Sequence, residues 1–401
     1  MRANLPTVFI LVTVVLDAMG IGLILPVMPD LIQEVRGAGL ANAALWGGIL
    51  STTFAVMQFL FGPVIGNLSD RYGRRTVLLT SLFVMAADYV VMALAGTIWL
   101  LVLGRVVGGI TAATHSTALA YMSDIKPPAE RGKAFGLISA AFGMGFVLGP
   151  AIGGFLGELG TRAPFYAAAA LAAANLVFGY FVLPETLKPE HRRAFQWRRA
   201  NPLGAFKSIS AFPDQMRLVV VFFLFSLSFN VYPAIWAYFT QAQFQWDSRM
   251  IGISLTVYGI SMAVVQGGLI RLSLERLGER NTILAGFGFA AVSYIWLTVL
   301  QNGAIVMALI PISALAAMAT PALQGLMSRD APADAQGELQ GLLSSVQALA
   351  MIVSPLLMTG VFAAFTRENA PVYLPGAPFA ASFLLVLLAF SLFRGRKRVT
   401  A

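Results

Sequence analysis

The chain has no cysteine and only two histidines, His115 and His191, among its 401 residues. The missing cysteines exclude disulfides, thiolate metal sites and cysteine nucleophiles, and two histidines argue against a metal centre. Charged residues make up only 11% of the chain, against about 25% in a soluble domain. With 58% hydrophobic residues and a mean hydropathy of +0.78, the composition excludes a soluble enzyme and indicates a polytopic membrane protein.

Apolar stretches long enough to cross a bilayer recur along the whole chain, because a spanning helix needs about 20 mainly apolar residues. We expect an all-α protein with twelve transmembrane helices, and Met1–Pro26 as a retained first span rather than a signal peptide. The predicted spans are 6–26, 43–65, 76–96, 98–121, 134–157, 163–183, 217–239, 249–271, 281–301, 303–327, 338–362 and 374–393.

The basic residues are distributed unevenly between the loops. Twelve spans place both termini on one side, and the termini and loops of that side hold 22 of the 27 lysines and arginines. The positive-inside rule therefore predicts cytoplasmic termini. The net charge of +9 is explained by this orientation and by contacts with lipid headgroups, so we expect no nucleic-acid partner.

An internal repeat divides the chain into two copies offset by 205 residues. Met122-Ser123 recurs as Met327-Ser328, Pro150 recurs as Pro355, and the Asp70–Gly73 segment matches Glu275–Gly278. The repeat predicts two pseudo-symmetric six-helix halves, 1–183 and 217–401, joined by a basic cytoplasmic linker, 184–216. Parallel repeats of this kind place a central site between halves that rock against each other.

The loop between the second and third spans contains several residues with a chemical role. Gly66 is expected to let two helices approach closely, and Asp70 to accept hydrogen bonds from a neighbouring helix N-terminus. The basic side chains can pair with acids or lipid phosphates. The candidate gate residues are Gly66, Asp70, Arg71, Gly73, Arg74 and Arg75.

A glycine-rich face in the fifth span predicts close helix packing in lipid, and its proline predicts a bend. These residues are Gly145, Gly149, Pro150, Gly153 and Gly154. Together with the loop at 66–75 and the Arg105–Gly109 segment, they resemble the signature motifs of the major facilitator superfamily. The resemblance implies the fold of that family, and the fifth-span motif implies an exchanger rather than a symporter.

The sequence is similar, over nearly its whole length, to proton-coupled tetracycline efflux proteins. The similarity lies in Leu16–Ile24, in Asp88-Tyr89, in Pro321–Gly325 and in Leu339–Leu343. It implies a transporter of the bacterial inner membrane that acts as a monomer, without a cofactor or metal, and exchanges a small-molecule drug for protons.

Two of the 18 acidic residues, Asp17 and Asp88, fall inside apolar spans, at about the same depth. A charged aspartate at the centre of a spanning helix costs about 2.5–3.5 kcal/mol on insertion scales, so such a group is functional, paired or protonated. Arg105 is the one cation within a span and could pair with either acid. We expect these three residues to couple transport to protons; the alternative is a static ion pair. His115 is read as a helix-bonded neutral histidine in preference to a proton relay, and His191 as a solvated loop residue.

The candidate substrate-binding residues are polar or polarisable side chains at mid-span: Gln58, Asn230, Met262 and Gln266. Two positions depart from the tetracycline pattern. Met262 stands where many relatives carry a histidine, and the stretch around Ala290 lacks an expected acid. Either coupling rests on the first half, or the substrate differs, and a hydrophobic or weakly cationic drug suits these residues better than a metal-chelated anion.

The sequence therefore predicts a proton-coupled multidrug or tetracycline-type efflux antiporter that works by alternating access. An exporter of an endogenous metabolite with the same fold is the alternative. A polytopic membrane enzyme would need clustered acids or a nucleophile with its base, and neither stands out. We expect no catalytic residues.

Overall fold

The computed structural model describes residues 5–112, 114–197, 201 and 215–395, with the side chains of 115 and 333 outside that description. The proposed roles of His115, and the linker residues Arg198, Arg199 and Lys207, therefore lie outside the described part. The α-helices of the described chain are α1 Leu5–Ile24, α2 Met28–Arg36, α3 Leu40–Tyr72, α4 Arg74–Ala93, α5 Ile98–Thr111, α6 Thr114–Ile125, α7 Pro128–Gly157, α8 Ala163–Val182, α9 Met216–Phe229, α10 Val231–Phe244, α11 Ser248–Val264, α12 Ile270–Val299, α13 Gly303–Ala314, α14 Ala319–Asp330, α15 Gln336–Thr366 and α16 Ala377–Arg394.

Within the described residues, eleven helical segments are long and apolar enough to cross a membrane. One of them, Ser248–Val299, is 52 residues long and contains a non-helical residue, Gly278, with φ 73° and ψ 169°. This segment covers the predicted eighth and ninth spans. The prediction of an all-α, multi-pass membrane protein is therefore confirmed.

Several spans are interrupted near their middle. The α9–α10 span is broken at Asn230, and the α13–α14 span contains a 3₁₀ turn over Leu315–Met318. The α11–α12 span contains a π-helical turn over Val265–Leu269. Short 3₁₀ and π segments inside helices are frequent at functional sites, because they redirect side chains and free backbone groups.

The described chain separates into two compact units. The first unit contains Met1–Ala38, Thr53–Pro202 and Asp247–Thr256, and the second contains Gly39–Thr52, Leu203–Trp246 and Val257–Ala401. The start of α3 thus groups with the second unit, and the start of α11 groups with the first. The six-helix division at the linker stays a prediction.

The helix pairing within one unit recurs in the other. In the first unit α1 packs on α7 and α4 packs on α8; in the second unit α9 packs on α15 and α12 packs on α16. These are equivalent spans of the two sequence repeats. A buried core that includes Phe9, Leu82, Tyr121 and Ile138 joins α1, α4, α6 and α7 of the first unit. The pairing agrees with the repeat at an offset of 205 residues.

Candidate functional site

The glycines of α7 bring this helix into backbone contact with α1. A Cβ atom built on Gly149 would lie 2.6 Å from the carbonyl oxygen of Met19 and 2.8 Å from Cα of Gly22. Gly145 and Gly153, four residues to either side, likewise face α1 backbone atoms. The spacing of four places the three glycines on one stripe, where only hydrogen side chains allow this approach. This contact fixes the helix that carries Asp17.

The other side of α7 contacts the start of α11 within the first unit. A Cβ on Gly154 would lie 2.7 Å from the carbonyl oxygen of Ser248 and 3.0 Å from Cα of Gly252. Pro150 sits inside α7, and its ring lies against Gly22 of α1. The five motif residues therefore serve two close helix contacts.

Asp17 is partly exposed on α1, and among the described residues it has no hydrogen bond or ion pair. Tyr89 of α4 lies within electrostatic range of Asp17 and Asp88. Its hydroxyl packs against Gly20, one turn after Asp17, where a side chain would collide with it. Asp17 is thus close to the Asp88 region while its own carboxylate is unpaired.

Asp88 is buried in a slot between α4 and α5, with only 6% of its surface exposed. A Cβ on Gly104 would lie 2.8 Å from its Oδ1 atom, and a Cβ on Gly108 would lie 2.8 Å from its Oδ2 atom. The two glycines, one turn apart, therefore create the space that the carboxylate occupies. Oδ1 is buried and accepts no hydrogen bond from the described part of the chain.

Arg105 pairs with Asp88 rather than with Asp17. Its Nη2 atom lies 3.7 Å from Asp88 Oδ2, and the guanidinium carbon lies 5.4 Å from the centre of the Phe54 ring. Its Nε atom is buried without a hydrogen-bond partner in the described residues. The pair is long for a salt bridge and incompletely hydrogen-bonded. Such a pair gains less from attraction than a short bidentate one, while each charge still carries the cost of leaving water.

The chemistry of this arrangement is that of two carboxylates beside one guanidinium. Oδ1 of Asp88 has no hydrogen-bond donor among the described residues and is chemically able to accept a proton, which would cancel the attraction to Arg105. Asp17, unpaired and partly exposed, offers a second carboxylate nearby. Among the described residues no group of three or more histidine, cysteine, aspartate or glutamate side chains is placed to hold a metal ion.

The loop at 66–75 forms a network at the predicted cytoplasmic end of the first unit. Arg74 pairs with Asp70 at 2.7 Å and with Asp124 of α6 at 3.3 Å. The backbone N–H groups of Arg74 and Arg75, which begin α4, donate to the Glu185 carboxylate at 2.9 and 3.2 Å. A carboxylate at this position satisfies free N–H groups and the positive end of the helix dipole.

The Glu185 carboxylate, which the chain after α8 brings to the start of α4, caps that helix, and Asp70 pairs with Arg74. The role of Asp70 at a neighbouring helix N-terminus stays a prediction. A Cβ built on Gly66 would have no atom of the described residues within 4 Å, so the described part of the chain shows no close helix contact there.

The remaining loop residues have distinct local roles. Gly73 has φ of 102°, and a side chain there would collide with Glu185. Arg75 donates to the carbonyl oxygen of Tyr180 at 2.7 Å, and exposed Arg71 lies over the Tyr72 ring.

An equivalent ion pair with reversed charges occurs in the second unit. Arg329 Nη1 lies 2.8 Å from Glu279 Oε2. These positions are 205 residues after Asp124 and Arg74, so acid and base have exchanged places between the repeats. Gly73, which precedes α4, and Gly278, the non-helical residue inside α12, both have positive φ. Sequence analysis missed this pair, although the offset of the repeat contains the signal.

The four predicted substrate residues have different surroundings. Gln58 donates to the carbonyl oxygen of Ala112 at 3.3 Å, where α5 ends, and Asn230 donates to that of Ser226 at 2.8 Å, where α9 ends. Both amides therefore satisfy backbone groups at helix breaks. Met262 is partly buried against an apolar cluster. Gln266 is exposed on the π-helical turn of the second unit. Gln58 lies in the first unit, and the other three residues lie in the second.

The comparison with known proteins places this geometry in a family. The family model described as the Major Facilitator Superfamily matches residues 10–355. The chain is 40% identical over 364 residues to the tetracycline resistance protein, class C, of Escherichia coli, with 91% of each chain covered. It is 33% identical to the class B protein of Escherichia coli, with 97% of this chain and 96% of the relative covered. The chain belongs to the major facilitator superfamily, so it is a transporter and not an enzyme.

Solved structures agree with the fold. The human organic anion transporter MFSD10 (TETRAN) superimposes with a TM-score of 0.70 at 25% identity, covering 98% of this chain and 99% of that one. The nucleoside transporter NupG gives a TM-score of 0.77 at 14% identity, covering 98% of this chain and 100% of that one. The chain is therefore a multi-pass membrane transporter related to tetracycline resistance proteins.

Proposed function

We propose that this protein is a proton-coupled efflux antiporter of small amphiphilic drugs, working by alternating access in the bacterial inner membrane with both termini cytoplasmic. The observation that carries the proposal is the Asp88 carboxylate in its glycine slot, 3.7 Å from Arg105 and with one oxygen that accepts no hydrogen bond from the described residues. A static packing pair would be expected to use both oxygens, because buried polar atoms are normally hydrogen-bonded.

The proposed cycle uses the two carboxylates of the first unit. A proton from outside neutralises Asp17 or Asp88, and neutral Asp88 no longer attracts Arg105. Loss of the attraction between Asp88 and Arg105 then favours the conformation in which the binding site opens to the cytoplasm. A bound drug favours the reverse change, in which the proton leaves to the cytoplasm and Arg105 pairs again with the carboxylate. The outward-open and inward-open conformations must differ from each other in proton affinity, because a proton can shift the equilibrium only towards the conformation that binds it more tightly.

The similarity to tetracycline resistance proteins makes tetracycline the first substrate to test. Met262 packs against apolar side chains and Ala290 is fully buried, so the second unit offers no polar ligand at either position. These surroundings support a hydrophobic or weakly cationic drug over a metal-chelated anion.

Reconstituted vesicles with an imposed pH gradient test this proposal. The wild-type protein should accumulate tetracycline or a lipophilic cation in proportion to the gradient. The Asp17→Asn variant should lose gradient-driven accumulation and keep substrate-for-substrate exchange, because asparagine resembles the protonated acid. Asp334→Asn, an exposed acid on a short 3₁₀ turn, is the matched control and should behave like wild type. Normal gradient-driven accumulation by Asp17→Asn would contradict the role of this residue.

A further inference from the structure

The beginning of the linker is fastened to the end of α3 in the first unit. The backbone N–H of Arg193 donates to the carbonyl oxygen of Asp70 at 3.1 Å. The Nδ2 atom of Asn67, a residue that is only 8% exposed, donates to the carbonyl oxygen of Gln196 at 2.9 Å. Two hydrogen bonds therefore hold residues 191–197 against this helix, and we name that segment the linker strap.

The attachment sets the depth of the linker strap relative to the bilayer. Asn67 lies two residues after the end of the predicted second span, which is about 3 Å along a helix that rises about 1.5 Å per residue. Trp197, which follows the residue bonded to Asn67, is therefore close to the hydrocarbon boundary. Asp70 lies about 7.5 Å beyond the same end, so Arg193 is at the level of the headgroup layer, which is about 5–8 Å thick on each side.

Exposed aromatic rings occur at this end of the first unit. Trp197 is 77% exposed and meets the Phe195 ring edge-on, with ring centres 4.9 Å apart. In the last turn of α8, Tyr180 is 63% exposed and Phe181 is 79% exposed. Exposed apolar patches mark interaction sites, and tryptophan and tyrosine are enriched at the membrane–water interface, where one side of the ring is apolar and the other is hydrated.

Four arginines at this end carry charge that no acid of the described residues neutralises by an ion pair. Two belong to the linker strap and two to the loop at 66–75: Arg192, Arg193, Arg71 and Arg75. The nearby acids have other partners. Asp70 pairs with Arg74 at 2.7 Å, Glu190 pairs with Lys188 at 3.8 Å, and the Glu185 carboxylate caps α4. The surface therefore has a net positive charge, which attracts anionic lipid.

We propose that the linker strap binds anionic phospholipid headgroups of the leaflet that borders the loop at 66–75. The Arg192 and Arg193 guanidinium groups pair with the lipid phosphates, and the Trp197 ring lies at the hydrocarbon boundary. The two hydrogen bonds to α3 hold the strap at the depth that both contacts require. The partner is independent of the transported molecule, so this inference goes beyond the proposed efflux function and does not rest on it.

Two nanodisc preparations of identical lipid composition test the inference. Both contain phosphatidylcholine with phosphatidylglycerol as the minor lipid. One carries bromine on the acyl chains of the phosphatidylglycerol, and the other carries it on an equal amount of phosphatidylcholine. Bromine quenches tryptophan fluorescence on contact. Because the chain has six tryptophans, the quenching of Trp197 is measured as the difference between the wild type and Trp197→Phe.

Brominated phosphatidylglycerol should quench Trp197 more strongly than brominated phosphatidylcholine. Each arginine near the surface favours an anionic headgroup about fivefold, so two arginines enrich it about 30-fold, and the ratio of quenching should be at least about two. High salt should lower this ratio in the wild type, because exposed charges are screened.

Charge variants identify the residues responsible. Arg192→Gln with Arg193→Gln should bring the quenching ratio to about one, and Arg192→Lys with Arg193→Lys should keep it high, because lysine retains the charge. Arg271→Gln with Arg276→Gln is the matched control. It removes two exposed charges from the corresponding segment of the second repeat and should leave the ratio unchanged.

Four outcomes would overturn the inference. Equal quenching by the two brominated lipids in the wild type would show no preference for anionic headgroups, and absence of Trp197 quenching by either lipid would place the strap in water. An equal loss in both glutamine variants would show a general effect of net charge. A ratio in the wild type that is insensitive to salt would exclude pairing with the phosphates, and this measurement needs no variant. Drug transport enters none of these readouts, so a failure of the proposed efflux function is detected separately.

Discussion

Separating the Asp88–Arg105 pair is the sharpest test of the first unit. At 3.7 Å the Coulomb attraction is about 4 kcal/mol for an effective dielectric constant of about 20. Removing one partner leaves the other charge buried, which typically costs about 3–5 kcal/mol. Asp88→Asn and Arg105→Gln should therefore each destabilise the protein by about 3 kcal/mol. The double variant should lose less than the sum, because it buries no unpaired charge.

Thermal unfolding in detergent of the wild type, both single variants and the double variant completes a double-mutant cycle. The expected coupling is about 2–3 kcal/mol, below the Coulomb value because desolvation opposes pairing. Agreement of the double variant with the sum of the single variants, within about 0.5 kcal/mol, would show that the two side chains do not interact.

Transport by the double variant then separates proton coupling from packing. A pair that serves only helix packing would regain transport with stability. A proton-binding pair would regain stability and stay inactive under a pH gradient, because no carboxylate remains at position 88. Gradient-driven transport by the double variant would refute the coupling role of Asp88.

Two further predictions concern packing and pH. Gly149→Ala should destabilise the protein by about 1–3 kcal/mol in detergent unfolding, because the new Cβ meets backbone atoms of α1. The control Gly143→Ala, on the same helix, has open space and should be neutral or slightly stabilising. Equal effects of the two substitutions would refute the close contact between the glycine stripe of α7 and α1. The Thr161 hydroxyl and the Arg162 guanidinium bond Glu34 and hold its pKa below the ordinary 4.5, so this stabilisation is present above pH 4.5 and is lost as pH falls through the lowered pKa. Glu34→Gln should therefore melt lower than wild type at neutral pH, with a difference that disappears in acid; a difference independent of pH would contradict the assignment.

The spans and the repeat could be predicted from the sequence because both depend on regular patterns. The length of an apolar stretch is set by the hydrocarbon core of the bilayer, which is about 30 Å thick. A hydropathy window therefore located even the spans whose helices are interrupted. The interruptions themselves could not be predicted. The π turn at Val265–Leu269 contains ordinary apolar residues and two glycines, and its position depends on tertiary packing.

The acids of the site could be predicted because a carboxylate in an apolar span is rare for energetic reasons. The choice of Asp88 over Asp17 as partner of Arg105 could not, since it depends on how α4 and α5 face each other. Glu185 was missed for a similar reason, because it lies 111 residues from Arg74, the first residue of the helix that it caps.

The reversed ion pairs, Arg74 with Asp124 and Glu279 with Arg329, restrict recombination between the two repeats. A chimera that carried the first turn of α4 into the corresponding place of the later repeat would set Arg74 against Arg329, base against base. The reciprocal graft would oppose two acids. Exchange of both segments together restores each pair, so a functional chimera of the two repeats has to carry these segments as matched sets.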